Sequence, residues 1–174
     1  IPLFLIGYFI VNYNLVPGIR NYKIIGWTTV IFGIFLYFSD KFDNKLNIGK
    51  SLTTKKAFTI GLFQTLALIP GVSRSGIIIT AARVLKFKRE DAAKISFLLS
   101  IPALAGTGIF GVYAVVSQGN IFLSINSVLT IFLSFIFSYF SIKYFLIYLK
   151  KFNLNLIVSY RLFLGLIILS LVYL

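Results

Sequence analysis

Apolar residues come in runs along this chain, and the runs are of two lengths. Residues 95–116 and 127–149 are long enough to cross a bilayer as helices, and 156–174 marginally so, since a crossing takes about 20 apolar residues. Residues 24–38, extended back to Tyr22, predict another crossing, and 1–13 the stub of a first one. Two further runs are too short. Residues 57–69 make about 20 Å of helix and 77–85 about 14 Å, against a hydrocarbon core of about 30 Å. Pro70-Gly71 breaks the helix between them. The pair is either one broken span or a hairpin that dips in and returns.

Charge in the loops separates these two arrangements. Loop 39–56 carries Lys41, Lys45, Lys50, Lys55 and Lys56. Loop 86–94 carries Lys86, Lys88, Arg89 and Lys94. Loop 117–126 carries none, and Lys150-Lys151 follow the next span. Basic loops stay on the cytoplasmic side. Only a re-entrant hairpin over residues 57–85 puts all the basic loops on one side and 117–126 on the other. Arg20 and Lys23, in the loop where Pro17-Gly18 signals a turn, then fall outside, and so does the C-terminus. The expected fold class is an all-α polytopic membrane protein. It has about five membrane-crossing helices, the first truncated, plus a re-entrant helix hairpin, in a single membrane domain over residues 1–174. Ala103, Thr107 and Gly111 recur every fourth residue, which predicts a close helix contact. Ser100 and Pro102 predict a kink beside the hairpin.

Composition agrees with a membrane. The chain is 59% hydrophobic, 17% aromatic and only 12% charged, with mean hydropathy +0.96. A soluble domain is about 45–50% apolar and about 25% charged. The net charge of +13 would suggest nucleic acid on a soluble protein. Here the cations sit in loops between apolar runs, so they read as topology signals and headgroup contacts, with no nucleic-acid partner. The absence of cysteine and histidine excludes disulfides, thiol chemistry, a histidine base and a Ser-His-Asp triad within these residues. The chain starts at Ile1 rather than methionine, and 1–13 is too short to span and lacks the basic start of a signal peptide. It is expected to begin mid-helix as part of a longer protein.

The candidate chemistry lies in "LALIPGVSRSGIII", residues 66–79. Irregular backbone at membrane depth is tolerated where protein buries it or where it lines a watery cavity. A charged residue there, at a cost of about 2.5–3.5 kcal/mol, marks function. Arg74 occupies that position, and its fork of donors suits phosphate oxygens. Ser73 and Ser75 add hydroxyls, and Gly71 and Gly76 let the backbone approach a ligand closely. Ser75 and Gly76 are expected to open the second half-helix, whose free N–H groups and positive dipole end favour an anion. Gln64 either bonds the ligand or ties the half-helices together. Arg161 is a headgroup anchor or a second phosphate contact. Arg83 is expected to snorkel, and Glu90 and Asp91 to complement the dipole of the next helix.

Residues 61–106, "GLFQTLALIPGVSRSGIIITAARVLKFKREDAAKISFLLSIPALAG", closely resemble the bacitracin-resistance type of undecaprenyl-diphosphate phosphatase. The family's PGxSRSG motif stands at Pro70–Gly76, and its R-E-x-A-A…SFLLSIPA pattern at Arg89, Glu90, Ala92, Ala93 and 96–103. The last segment, with Tyr160-Arg161 and Gly165, is similar too. Lys88 stands where the family commonly has a helix-capping serine. The family's second re-entrant motif, E-G-x-T-E followed by serines and a histidine, has no match here. The resemblance implies the second half of an inverted-repeat fold. It implies hydrolysis of undecaprenyl diphosphate to the monophosphate carrier lipid for cell-wall synthesis, at the outer face of the bacterial plasma membrane. It implies Arg74, Ser73 and Ser75 as the catalytic set, with Gly71, Gly76, Gln64 and Arg161 around the diphosphate. A divalent cation, Mg or Ca, is implied with ligands outside this chain, and a homodimer is among the partners allowed. Alternatives are an anionic-lipid transporter or flippase without chemistry, and an inactive truncated homologue.

Overall fold

The computed structural model describes residues 2–13, 21–42, 45–117 and 125–174. The expected turn at Pro17-Gly18, Arg20 and most of loop 117–126 lie outside the described residues. Among the described residues the chain is helical, with helices α1 (Pro2–Asn12), α2 (Tyr22–Asp40), α3 (Ile48–Ser51), α4 (Thr54–Thr65), α5 (Arg74–Val84), α6 (Arg89–Ser117), α7 (Ile125–Lys151) and α8 (Asn155–Tyr173). Helices α2, α6, α7 and α8 are long and apolar enough to cross a membrane. The architecture is that of an all-α polytopic membrane protein.

The two short runs form a hairpin. Thr53 caps α4 by accepting from the Lys56 amide at 3.3 Å, which starts the helix three residues ahead of its apolar run. A 3-10 turn over Leu66–Leu68 ends it before Pro70. Helix α5 returns from the tip. The far ends of the hairpin meet: Lys56 Nζ lies 5.2 Å from the centre of the Phe87 ring, and Leu46 exchanges backbone bonds of 3.0 and 3.1 Å with Lys86 and Lys88. Loops 39–56 and 86–94 therefore sit at one end of the bundle, with the tip toward the other. The first of these loops is not wholly irregular, because the bridge to Phe87 and the short α3 organise it.

Helix α5 is the centre of the molecule. Every residue from Gly76 to Arg83 is buried, because α2, α4 and α6 surround it. An apolar stretch with no polar face has to be buried in this way. Its C-terminus closes in a Schellman arrangement, with Lys86 at φ 69° in the position that usually takes glycine. Phe87 N–H donates to Ala82 O (3.0 Å) and Lys86 N–H to Arg83 O (2.9 Å), and the Phe87 ring is fully buried.

Helices α2 and α8 pack antiparallel through glycines. A Cβ on Gly26 would come within 2.7 Å of Leu169, and one on Gly165 within 2.6 Å of Val30. This is the small-residue helix contact of the fold. The expected contact at Thr107 and Gly111 is absent among the described residues: both are exposed, and nothing lies within 4 Å of a Cβ on Gly111. Only Ala103 of that series is buried. Helix α7 leaves nearly its whole surface of Phe, Ile and Leu bare, as a lipid-facing helix does.

Candidate functional site

Three helices hold the tip in place. Gly71 adopts φ +89°, and a Cβ there would collide with the Thr28 hydroxyl and lie 2.6 Å from Ile25 O. Only glycine tolerates both that backbone and that approach. Thr28 Oγ1 donates to Pro70 O (2.6 Å), and Thr29 Oγ1 lies 3.3 Å from Gly71 O. These side chains sit six and seven residues into α2, about 10 Å from its start. The tip therefore lies at membrane depth if α2 crosses. From α8, Arg161 Nη2 donates to Gly71 O (3.0 Å) and Val72 O (3.1 Å). From α6, Ser96 Oγ lies 3.4 Å from Ser75 O. Buried carbonyls in irregular backbone need such partners.

Beyond the tip, Ser73 is the N-cap of α5, and the helix begins at Arg74, ahead of the expected Ser75-Gly76 start. Ser73 Oγ accepts from Gly76 N–H at 3.3 Å and lies 3.4 Å from Ser75 Oγ. Ser73 itself has φ 66°, ψ 112°, a conformation costing about 1–3 kcal/mol for a residue with a Cβ. Strain of this kind clusters at functional sites. The first amides of α5, at Arg74 and Ser75, remain free for an anion.

A cavity of about 770 Å³ opens beneath the tip. Its polar end is made by Gly71, Ser73, Ser75, Gly76 and Arg161. Most of the remaining wall is apolar, including Ile79, Phe97, Phe145 and Ile157. Five of the expected site residues therefore share one space. Arg161 is 7% exposed, buried in the bundle and turned toward the tip, so it is no headgroup anchor. Gly76 leaves it room, since a Cβ there would stand 2.7 Å from Arg161 Nη1.

Arg74 and Gln64 do not line this cavity. Successive residues on a helix turn by about 100°. Ser75, Gly76 and Ile79 share the cavity face of α5, and Arg74 falls on another. Its side chain is partly exposed and has no hydrogen-bond or ion-pair partner among the described residues. Gln64 is 5% exposed, packed within α4.

The charged residues at the other end of the bundle form a separate group. Arg83 does not snorkel. It is 3% exposed, donates to Asp40 O (2.6 Å), Phe42 O (3.2 Å) and Phe87 O (3.1 Å), and pairs with Asp40 Oδ1 at 3.2 Å. Asp40 Oδ1 also takes Arg89 Nε at 2.7 Å, and its Oδ2 accepts the Leu154 amide at 3.1 Å. This buried carboxylate ties α2, α5, α6 and α8 together. Sequence reasoning missed it; the available signal was a single Asp directly after the apolar run of α2. Glu90 and Asp91 occupy the first turn of α6, and Glu90 pairs with Lys94 at 2.6 Å.

The tip's donor set does not fit a metal. Hydroxyls and guanidinium groups surround it, and the described carboxylates, Asp40, Glu90 and Asp91, are at the opposite end. No group of three His, Cys, Asp or Glu side chains gathers among the described residues. The arrangement suits an anion: one guanidinium in the wall, free helix N–H groups and no described carboxylate in the lining.

Comparison with known proteins gives a consistent result. Residues 1–167 match the family described as bacitracin resistance protein BacA. An undecaprenyl-diphosphatase of Pelagibacter ubique is 49% identical over 176 residues, covering 99% of this chain and 68% of that protein. An undecaprenyl-diphosphatase of Jannaschia sp. is 35% identical over 99% of this chain and 65% of that protein. One of Saccharophagus degradans is 39% identical over 95% and 62%. The chain thus spans about two thirds of the length of these relatives. With the PGxSRSG tip seated between α2, α6 and α8, and with a match covering nearly every residue, the chain belongs to the bacitracin resistance protein BacA family.

Proposed function

We propose that this chain carries one half of the active site of a membrane phosphatase. The enzyme hydrolyses undecaprenyl diphosphate to undecaprenyl phosphate and inorganic phosphate, as the names of its relatives state of those proteins. The observation that carries the proposal is the shape of the tip cavity: hydroxyls, free helix N–H groups and a guanidinium at one end, and an apolar wall below. A phosphate head on an isoprenoid chain has the same division.

In this reading water oxygen bonds to the terminal phosphorus and the P–O–P anhydride breaks. The bridging oxygen leaves on the lipid monophosphate. Ser73 and Ser75 orient phosphate oxygens, and the Arg74 and Ser75 amides take their charge. Arg74, without a partner among the described residues, clamps the terminal phosphate from outside the cavity and stabilises the charge that develops on it. Arg161 holds the tip carbonyls so that these donors face the ligand. Among the described residues no carboxylate or histidine stands near the serines to act as a base. The base and any ligands for a divalent cation belong to the part of the relatives' length that this chain does not span. The proposal includes a bacterial plasma membrane location with 57–85 re-entrant, the site facing outward and the basic loops inward, and a homodimeric assembly.

The test uses the full-length protein in detergent with polyprenyl diphosphate and magnesium or calcium. Phosphate release that falls at least a hundredfold in Arg74→Ala is expected. Binding without release, or full activity in Arg74→Ala, overturns the proposal. A cysteine at position 119 that labels only from the cytoplasm overturns the topology, and a monomer mass in detergent and in nanodiscs overturns the dimer.

A further inference from the structure

A second cavity, of about 900 Å³, opens at the end of the bundle opposite the tip. It shares no lining residue with the tip cavity. Its wall brings together Lys41 after α2, Arg83 at the end of α5, Lys88 and Arg89 at the start of α6, and Lys150 at the end of α7. Two carboxylates, Asp40 and Glu90, face these cations from the same wall.

Neither carboxylate can neutralise the space. Asp40 is 5% exposed and spent on Arg83, Arg89 and the Leu154 amide. Glu90 is taken by Lys94 at 2.6 Å, with Lys150 at 3.7 Å. Arg89 gives only its Nε to Asp40, so its two terminal nitrogens, fixed in place by that bond, donate to no described acceptor. Lys88 Nζ also has none, and Lys41 rests over the Tyr37 ring at 4.4 Å.

We propose that this cavity is a binding site for a phosphate group, supplied either by an anionic phospholipid headgroup or by free inorganic phosphate. Arg89, anchored by Asp40, presents the fork of donors that matches two phosphate oxygens. Lys41 and Lys88 close on it from either side as mobile point charges. The site lies where the ends of α2, α6, α7 and α8 meet the membrane surface, within reach of a headgroup and open to solution.

The experiment uses the full-length protein carrying Arg74→Ala, which weakens the tip, and the Lys41/Lys88 variants below separate what binding remains there. Calorimetric titrations with sodium phosphate, dihexanoyl phosphatidylglycerol and dihexanoyl phosphatidylcholine separate the sources. Saturable binding of the first, the second or both is expected, with none of the neutral lipid. Phosphatidylglycerol alone identifies a lipid headgroup, and phosphate alone a free anion. Lys41→Gln/Lys88→Gln, on two exposed side chains, weakens binding roughly 25-fold, each charge contributing about fivefold. Lys50→Gln/Lys55→Gln removes the same charge outside the cavity and leaves binding within about twofold. No saturable binding of either anion overturns the proposal. Equal weakening by the two double variants, the mark of a diffuse field, overturns it as well.

Discussion

Gly71→Ala tests whether the seating of the tip makes the site. The glycine stands at φ +89°, and its missing Cβ leaves space for the Thr28 hydroxyl, Ile25 O and Thr29 Oγ1. An alanine incurs about 1–2 kcal/mol for the left-handed backbone. Its Cβ must also retreat from 2.6 Å to an ordinary 3.4 Å from the Ile25 carbonyl, which belongs to α2 and cannot swing aside. A shift of that size breaks the Thr29–Gly71 bond, already 3.3 Å long. It also strains the Thr28–Pro70 bond, each bond being worth about 0.5–1.5 kcal/mol. The expected loss is about 2–4 kcal/mol. Because the same movement carries Ser73 and the first amides of α5 off the cavity, phosphate release falls by two orders of magnitude or more. The assay pairs thermal unfolding in detergent with phosphate release from polyprenyl diphosphate and hydrogen exchange over residues 66–79. Adding Thr28→Ala removes the nearest hydroxyl but not the Ile25 carbonyl, so the double variant stays inactive. A Gly71→Ala protein within about 0.5 kcal/mol of wild type and at half its activity or more would refute the reasoning.

Arg161→Lys keeps the charge but reaches one carbonyl where the guanidinium reached two; kcat falls about 10- to 100-fold with KM little changed, whereas a rise in KM alone marks a direct substrate contact. Asp40→Asn removes the carboxylate charge paired with buried Arg83 and partly exposed Arg89 and costs about 3–5 kcal/mol in unfolding experiments. Adding Arg89→Gln to it recovers part of that loss, and strict additivity would contradict the pairing. Lys86→Gly relieves the left-handed residue at the end of α5 and raises stability by about 1 kcal/mol, while a lowered unfolding temperature would contradict the Schellman geometry.

The helices and the hairpin are legible because their causes are local. Run length against bilayer thickness and a Pro-Gly break mark the long helices and return the hairpin within a window of about 20 residues. Composition of the tip was equally readable: Ser73, Ser75, Gly71 and Gly76 stand in six consecutive residues and share one cavity wall. The small-residue reading failed for Thr107 and Gly111 because a repeat every fourth residue says that a face is small, not which helix covers it. The glycines that are covered, Gly26 and Gly165, belong to helices far apart in the sequence.

The arginines separate what sequence can give from what it cannot. By sequence Arg74 reads as the main phosphate donor, Arg161 as a headgroup anchor or a second phosphate contact, and Arg83 as a snorkelling residue. Folding gives Arg83 and Arg161 backbone partners 41 to 90 residues away. Arg161 reaches back from α8 to satisfy two carbonyls that Pro70-Gly71 release from helical bonding. Arg83 locks the far end of α5 to α2. With both ends of α5 held by buried guanidinium groups, Arg74, at its first turn, has no partner among the described residues. That contrast supports the roles proposed for them. A buried guanidinium already bonded to backbone keeps the tip in shape, and a free one beside the same tip is available to a ligand. Under the proposed function the hairpin relies on Arg161 for its shape and on Arg74 for the phosphate, a division that the motif PGVSRSG by itself does not reveal.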